Sequence, residues 1–167
     1  MDSGTTIMGI VILFICVTPI ILSTVHNSRK KKKILQGLFD FAEKNNCKIS
    51  QNGMSNSLTI GIDDTANMVF FRNETKDNEI LQQINLSEVQ QCRVVNSTRT
   101  VKNKNSNYSV VEKLELAFTN QDKNKKEIVL EFYNQFNDGL TVDGEVQFVE
   151  KWCNIINNKI SSISKQK

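Results

Sequence analysis

Leu58-Thr-Ile-Gly-Ile-Asp-Asp-Thr-Ala-Asn-Met-Val-Phe-Phe71 is the stretch in which the apolar spacing of this chain changes from helical to alternating. Leu58, Ile60 and Ile62 stand two apart, so they share one face of an extended strand. Asp63 to Asn67 is turn-like, and Met68 to Phe71 reads as the return strand of a hairpin. Upstream, Ile34, Leu35, Leu38, Phe39 and Ala42 recur every three or four residues, which predicts an amphipathic helix of roughly three turns ending at Asn45 or Asn46. That helix needs cover for its apolar face. The domain's own core is the expected cover; a membrane surface or a second chain are the alternatives. Between helix and hairpin, Ser50 to Asn56 reads as a polar link.

Downstream the alternation continues. Asn73 to Glu79 is a charged loop, Ile80 to Leu86 a third strand, and Cys92 to Thr98 a fourth with Val94 and Val95 facing opposite ways. Lys102 to Tyr108, all Lys, Asn, Ser and Tyr, predicts an exposed mobile loop. It joins the long strands Val110 to Phe118 and Glu127 to Tyr133, which are themselves linked by the polar loop Asn120 to Lys126. Turns follow at Asp138-Gly139 and Asp143-Gly144. Asp143 is placed to cap a last helix whose apolar positions are Phe148, Val149, Trp152, Ile155, Ile156 and Ile160. Trp152, the single tryptophan, is expected to anchor the core.

About six antiparallel strands and one amphipathic helix cannot bury both faces as a flat sheet, so a partly open barrel or sandwich is expected, with the helix at one end. A sheet covered on one face by both helices is the α+β alternative. The order of elements resembles the pleckstrin-homology-like (PH-like) fold. The residues carrying the resemblance are the corner Ile84-x-Leu86-Ser87-x-Val89-x-x-Cys92-x-Val94, the hairpin Val110 to Tyr133 and the helix around Trp152. It covers roughly Ser57 to Ile163 and implies an α+β chain with a six- to seven-stranded domain capped by its C-terminal helix. Bacterial domains of this kind are often tethered to a membrane span. Two departures stand out: Asp63 and Asp64 occupy the first hairpin loop, where phosphoinositide-binding members present Lys and Arg, and a seventh strand is lacking unless Cys47 to Gln51 pairs at an edge. Headgroup binding is therefore not carried over to any residue of the domain.

The N-terminal end has a different character. From Thr5 to Val25 no residue is charged, and at about 1.5 Å per residue the segment spans about 30 Å, one hydrocarbon core. Pro19, the only proline, falls inside it, where it can kink a membrane helix. A cleaved signal peptide would carry its basic residues before the apolar stretch. Here Arg29, Lys30, Lys31, Lys32 and Lys33 follow it, which predicts a single-pass anchor with the N-terminus outside and the C-terminal domain in the cytoplasm, at the inner membrane of a bacterium. The expected organisation is an anchor at 1–28, a basic run at 29–33 able to contact the membrane surface, helix and link at 34–56, the β domain at 57–163 and a tail at 164–167. Asn73, Asn85, Asn96 and Asn107 begin glycosylation triplets, but such triplets arise by chance in a chain this rich in Asn and Ser.

Charge and cysteine usage narrow the function. Five of the 21 Lys and Arg lie at 29–33 and one of the 18 acidic residues, Asp2, lies before the anchor; the rest of the chain therefore carries 16 against 17. That balance lacks the basic footprint of nucleic-acid binding. Cys16, Cys47, Cys92 and Cys153 show no paired spacing, and His26 lies beside the expected span, so neither a zinc site, a redox motif nor a Cys-His nucleophile is indicated. No glycine-rich phosphate loop or nucleophile elbow occurs. Asp63 and Asp64 are adjacent in a turn, so their side chains should diverge. The expectation is a non-enzymatic binding or scaffolding module without a cofactor, whose partners are the bilayer and a protein that meets a sheet edge or the Lys102 to Tyr108 loop. An accessory subunit of a membrane complex, packing through Gly9 or Cys16, is the alternative.

Overall fold

The computed structural model describes residues 31–56, 58–74, 78–103, 106–138 and 144–165. The expected span Thr5–Val25, Arg29, Lys30, Gly139 and Asp143 lie outside these residues. Among the described residues no helix is long and apolar enough to cross a membrane.

The chain is α+β, built on two antiparallel sheets. A helix, α1, covers residues 31–44. The strands β1 (Gln51–Ser55), β2 (Leu58–Asp63), β3 (Met68–Glu74) and β4 (Glu79–Asn85) follow in a four-stranded meander, and β5 (Val89–Asn103), β6 (Ser106–Asn120) and β7 (Ile128–Asn134) in a three-stranded one. A 3-10 turn at Leu86–Glu88 carries the chain from one sheet to the other. A short helix, α2 (Gln135–Asp138), precedes the long C-terminal helix α3 (Glu145–Ser164).

Two cores result from the two-residue period. Leu58, Ile60 and Ile62 on β2, with Val69 and Phe71 on β3, pack with Leu114, Leu116, Phe118 and Leu130 of the second sheet and with Val149, Trp152 and Ile156 of α3. The intervening residues turn the other way. There Phe70 meets Leu38, Ala42 and Ile49, so α1 lies on the outer face of the first sheet. Phe41 stands edge-on to Phe70, with ring centroids 5.5 Å apart at 89°. Because β2 is sandwiched, every one of its six residues is buried. The face of α1 is thus covered by its own domain, one of the three covers its spacing left open. The two helices cover different layers, so they do not share one face of a single sheet.

Three sequence expectations need correction. The polar link Ser50 to Asn56 contains β1, a seventh strand. Its pairing runs from Gln51↔Ile62 to Ser55↔Leu58, and Asn56 turns the hairpin at φ 52°. The expected edge Cys47 to Gln51 contributes only its last residue. With Gln51 and Asn52 exposed, β1 carries no alternating apolar signal, and it is held by its ladder to β2. Second, strands five and six continue through most of the expected loop Lys102 to Tyr108, with Lys102 paired to Asn107 and Asn103 to Ser106. β5 therefore runs from Val89 to Asn103, well beyond Cys92 to Thr98. From Asn96 to Thr100 the strand faces solvent on both sides, so no period marks it. Third, α3 starts without a side-chain cap: Gly144 is its N-cap at φ 84°, a left-handed conformation that glycine adopts at little cost.

The corner quoted above is where the sheets part. Leu86, Val89 and Cys92 are buried, the Leu86 N–H donates to the Asn67 carbonyl at 2.8 Å, and the Asn85 side chain accepts from the Ser87 N–H at 3.0 Å.

Candidate interaction surface

A protein that binds partners through its sheets must leave an edge free, and the two sheets end in four strands: β1, β4, β5 and β7. β5 is closed by α3. The Cys92 N–H donates to Asn157 Oδ1 at 2.9 Å, and Asn157 Nδ2 donates to the Cys92 carbonyl at 2.8 Å, so one amide side chain pairs with the edge as a neighbouring strand would. Cys153 Sγ also donates to that carbonyl, at 3.4 Å. β1 is short, and α3 packs on its inner face, where a Cβ at Gly53 would stand 2.6 Å from Trp152 Nε1 and 3.0 Å from the Phe148 ring. β7 carries a charge at its centre, Glu131, which pairs with Lys113 at 2.9 Å.

Among the described residues, nothing covers β4, and it has no central charge. Ile80 and Leu81 are consecutive, hence on opposite faces of the sheet, and are 40% and 42% exposed. No charged residue occurs from Ile80 to Asn85. Among the described residues, the backbone of β4 forms hydrogen bonds with β3 alone. Sequence reading placed a strand here without marking it as an edge; the uncharged run Ile80-Leu-Gln-Gln-Ile-Asn85 was the available signal.

Of the predicted membrane-surface residues, Lys31, Lys32 and Lys33 lie exposed at the start of the described part of α1, and Arg29 and Lys30 lie outside the described residues. Next to them Arg72, a residue that sequence reasoning missed, holds the helix. Its Nη1 donates to the Ile34 carbonyl at 2.9 Å while Glu74 and Glu79 pair with the same guanidinium at 2.9 and 2.6 Å.

The remaining polar clusters are structural in their geometry. Asp63 and Asp64 both bond to the segment Lys48 to Ser50. Asp63 accepts from the N–H groups of Lys48, Thr65 and Ala66 at 2.7 to 2.9 Å, and Asp64 accepts from Ser50 Oγ at 2.6 Å. Burial pushes the Asp63 carboxyl up, but the three N–H groups and the Lys159 charge outweigh it and hold the carboxyl below its ordinary value. Both residues belong to the second hairpin, not the first; the two positions between β1 and β2, 56 and 57, carry no charge in the sequence. Cys47 is half-buried, and Cys92 and Cys153 are buried free thiols. Burial, then the neighbouring Cys153, pushes the Cys92 thiol far up. A shallow depression at the corner is lined by Ser87, Glu88, Gln121, Asp122 and Lys125, and Glu88 pairs there with Lys125 at 2.6 Å. Among the described residues no group of His, Cys, Asp and Glu could hold a metal ion.

No family model matches this chain, and no curated protein or solved structure matches it.

Proposed function

We propose that the chain is a single-pass, membrane-anchored binding module. Thr5–Val25 spans the inner membrane with the N-terminus outside, and a PH-like domain stands on the cytoplasmic face and offers a protein partner a sheet edge. The observation that carries this reading is the continuity of the basic run with α1. Lys31, Lys32 and Lys33 belong to a helix that Arg72 fastens to β3, so charges placed at a bilayer would hold the domain at a fixed attitude beside it. The four-plus-three strand order with a C-terminal helix supports the PH-like assignment, and β1 removes one of the two departures from it. The other departure holds: no Lys or Arg stands in either of the first two hairpin turns, which speaks for a protein ligand over a phosphoinositide.

The test is topological. In a full-length variant with Asn124→Cys in the exposed turn between β6 and β7, a membrane-impermeant thiol reagent should label this position only after the cells are permeabilised. Labelling in intact cells would reverse the orientation, and release of the chain by alkaline extraction of membranes would remove the anchor.

A further inference from the structure

Natural sheets blunt their edges with Lys, Pro, a bulge, an inward charge or a covering element, because a bare edge pairs with whatever strand it meets. Of the other three edges, β5 has Asn157 and β7 has Glu131, and β1 is only five residues long. Among the described residues β4, seven residues long, shows no such device. It pairs with β3 without a bulge from Glu74↔Glu79 to Met68↔Asn85, it has no Lys or Pro, and its one charge, Glu79, is turned to Arg72.

The identity of the missing strand follows from charge placement. In an antiparallel self-pairing only one register engages all seven residues of β4: Glu79 opposite Asn85, Ile80 opposite Ile84, Leu81 opposite Gln83, and Gln82 opposite its own counterpart. The two Glu79 carboxylates then fall at opposite ends of the joint, roughly 20 Å apart at about 3.4 Å per residue. Like charges directly opposite each other destabilise a pair, and the same operation on the other long edges creates them. β7 paired with itself over its full length sets Glu131 against Glu131, and β5 sets Arg93 against Arg99. β4 alone of these strands is complementary to itself.

We infer that β4 pairs with β4 of a second copy, joining two four-stranded sheets into one of eight strands about a two-fold axis through Gln82. The pairing satisfies the outer peptide groups of the edge and covers Ile80 and Leu81. Such an axis is perpendicular to the sheet, so both α1 helices lie on the same side of it. Both N-terminal segments then leave from that side and can enter one bilayer; this last consequence, unlike the pairing itself, rests on the anchored reading above. Confinement to a membrane would favour the dimer by raising the local concentration of copies.

The experiment is the mass of the full-length chain in detergent micelles, measured by light scattering over a concentration series, for the wild type and for Ile80→Lys, Leu81→Lys and Val129→Lys. A dimer is expected for the wild type and for Val129→Lys, whose site is exposed on the other sheet. The two-fold axis counts each β4 substitution twice, so the dimer dissociation constant should rise about tenfold or more in both β4 variants. A monomeric wild type, or a dimer that survives both β4 substitutions in a folded chain, overturns the pairing. Should the lysine variants unfold, Gln82→Cys decides: dioxygen with a copper phenanthroline catalyst should couple its two thiols into a covalent dimer that the wild type does not form, and absence of that product overturns the proposal. If the chain proves soluble without detergent, the anchored reading fails by itself, and the same measurements in buffer still test the dimer.

Discussion

Arg72 and Ile34 lie 38 residues apart in the chain, yet Arg72 Nη1 donates to the Ile34 carbonyl oxygen at 2.9 Å and so makes α1 part of the β domain. The guanidinium lies over Gly37, where a Cβ would stand 2.7 Å from Cζ. Three partners hold it there, the Ile34 carbonyl, Glu74 and Glu79, and its side chain is only 10% exposed. An arginine so constrained cannot step aside as a surface arginine would.

A sign reversal follows for Gly37→Ala. In a helix interior alanine is better than glycine by about 1 kcal/mol. Here the added Cβ meets the held guanidinium, so the substitution should destabilise the wild-type chain. With Arg72→Met the obstacle is gone, and the same Gly37→Ala should stabilise. Arg72→Met itself should cost about 1.5–3 kcal/mol, the range for hydrogen bonds to a charged group. A double-mutant cycle by urea unfolding measures both effects, and an equal Gly37→Ala effect in the two backgrounds would show that Arg72 does not pack on the helix.

Asn157 should be costly to shorten. Asn157→Ala leaves the Cys92 N–H and C=O without the amide that pairs with them, at about 1–3 kcal/mol for an orphaned buried group. Asn157→Asp should be worse than its similar shape suggests, since a carboxylate oxygen would then face the Cys92 carbonyl. Hydrogen exchange at the Cys92 amide reports the loss locally, and unchanged protection in Asn157→Ala would mean that α3 closes this edge by other contacts.

Gly53 tests the N-terminal half of α3. Gly53→Ala drives a methyl toward Trp152 Nε1 and the Phe148 ring, an overpacking expected to cost about 1–3 kcal/mol. Trp152 is the only tryptophan, so its fluorescence isolates the event. Emission should shift to the red as the indole is pushed from its buried seat; an unmoved spectrum together with unchanged stability would contradict the close approach.

The parts of this fold legible in sequence are those in which one face carries the large apolar side chains of the main core and the other does not. Leu58, Ile60 and Ile62, Leu114 to Phe118, and the Trp152 helix all carry a clean period because the core fixes it. The parts that escaped lack that asymmetry. β1 has little apolar content, β5 has solvent on both faces from Asn96 to Thr100, and the start of α3 uses the backbone freedom of Gly144 in place of a capping side chain. The candidate surface was legible only as a strand. Whether a strand is an edge depends on which neighbours the topology supplies, and the roles of Arg72 and Asn157 depend on long-range contacts that local periodicity does not encode.

Asp63 makes stability depend on pH in a direction that its surroundings determine. Burial alone raises a carboxyl's pKa, but the N–H groups of Ala66, Lys48 and Thr65 and the charge of Lys159 all favour the ionised form, and they prevail. The folded carboxyl is thus the stronger acid, and the unfolded chain takes up its proton first. Its contribution to stability is complete above the ordinary aspartate value of about 3.9 and drains away as the pH falls through the lower folded value. Asp63→Asn removes the charge and should therefore be less stable than the wild type at neutral pH, with the gap closing as the solution is acidified below about pH 4. Exposed carboxylates such as Glu88 titrate alike in both proteins and cancel in the comparison. Urea unfolding of the pair from pH 7 down to acid checks this, and a gap that stays constant would mean that the three N–H groups hold the side chain by shape without favouring its charge.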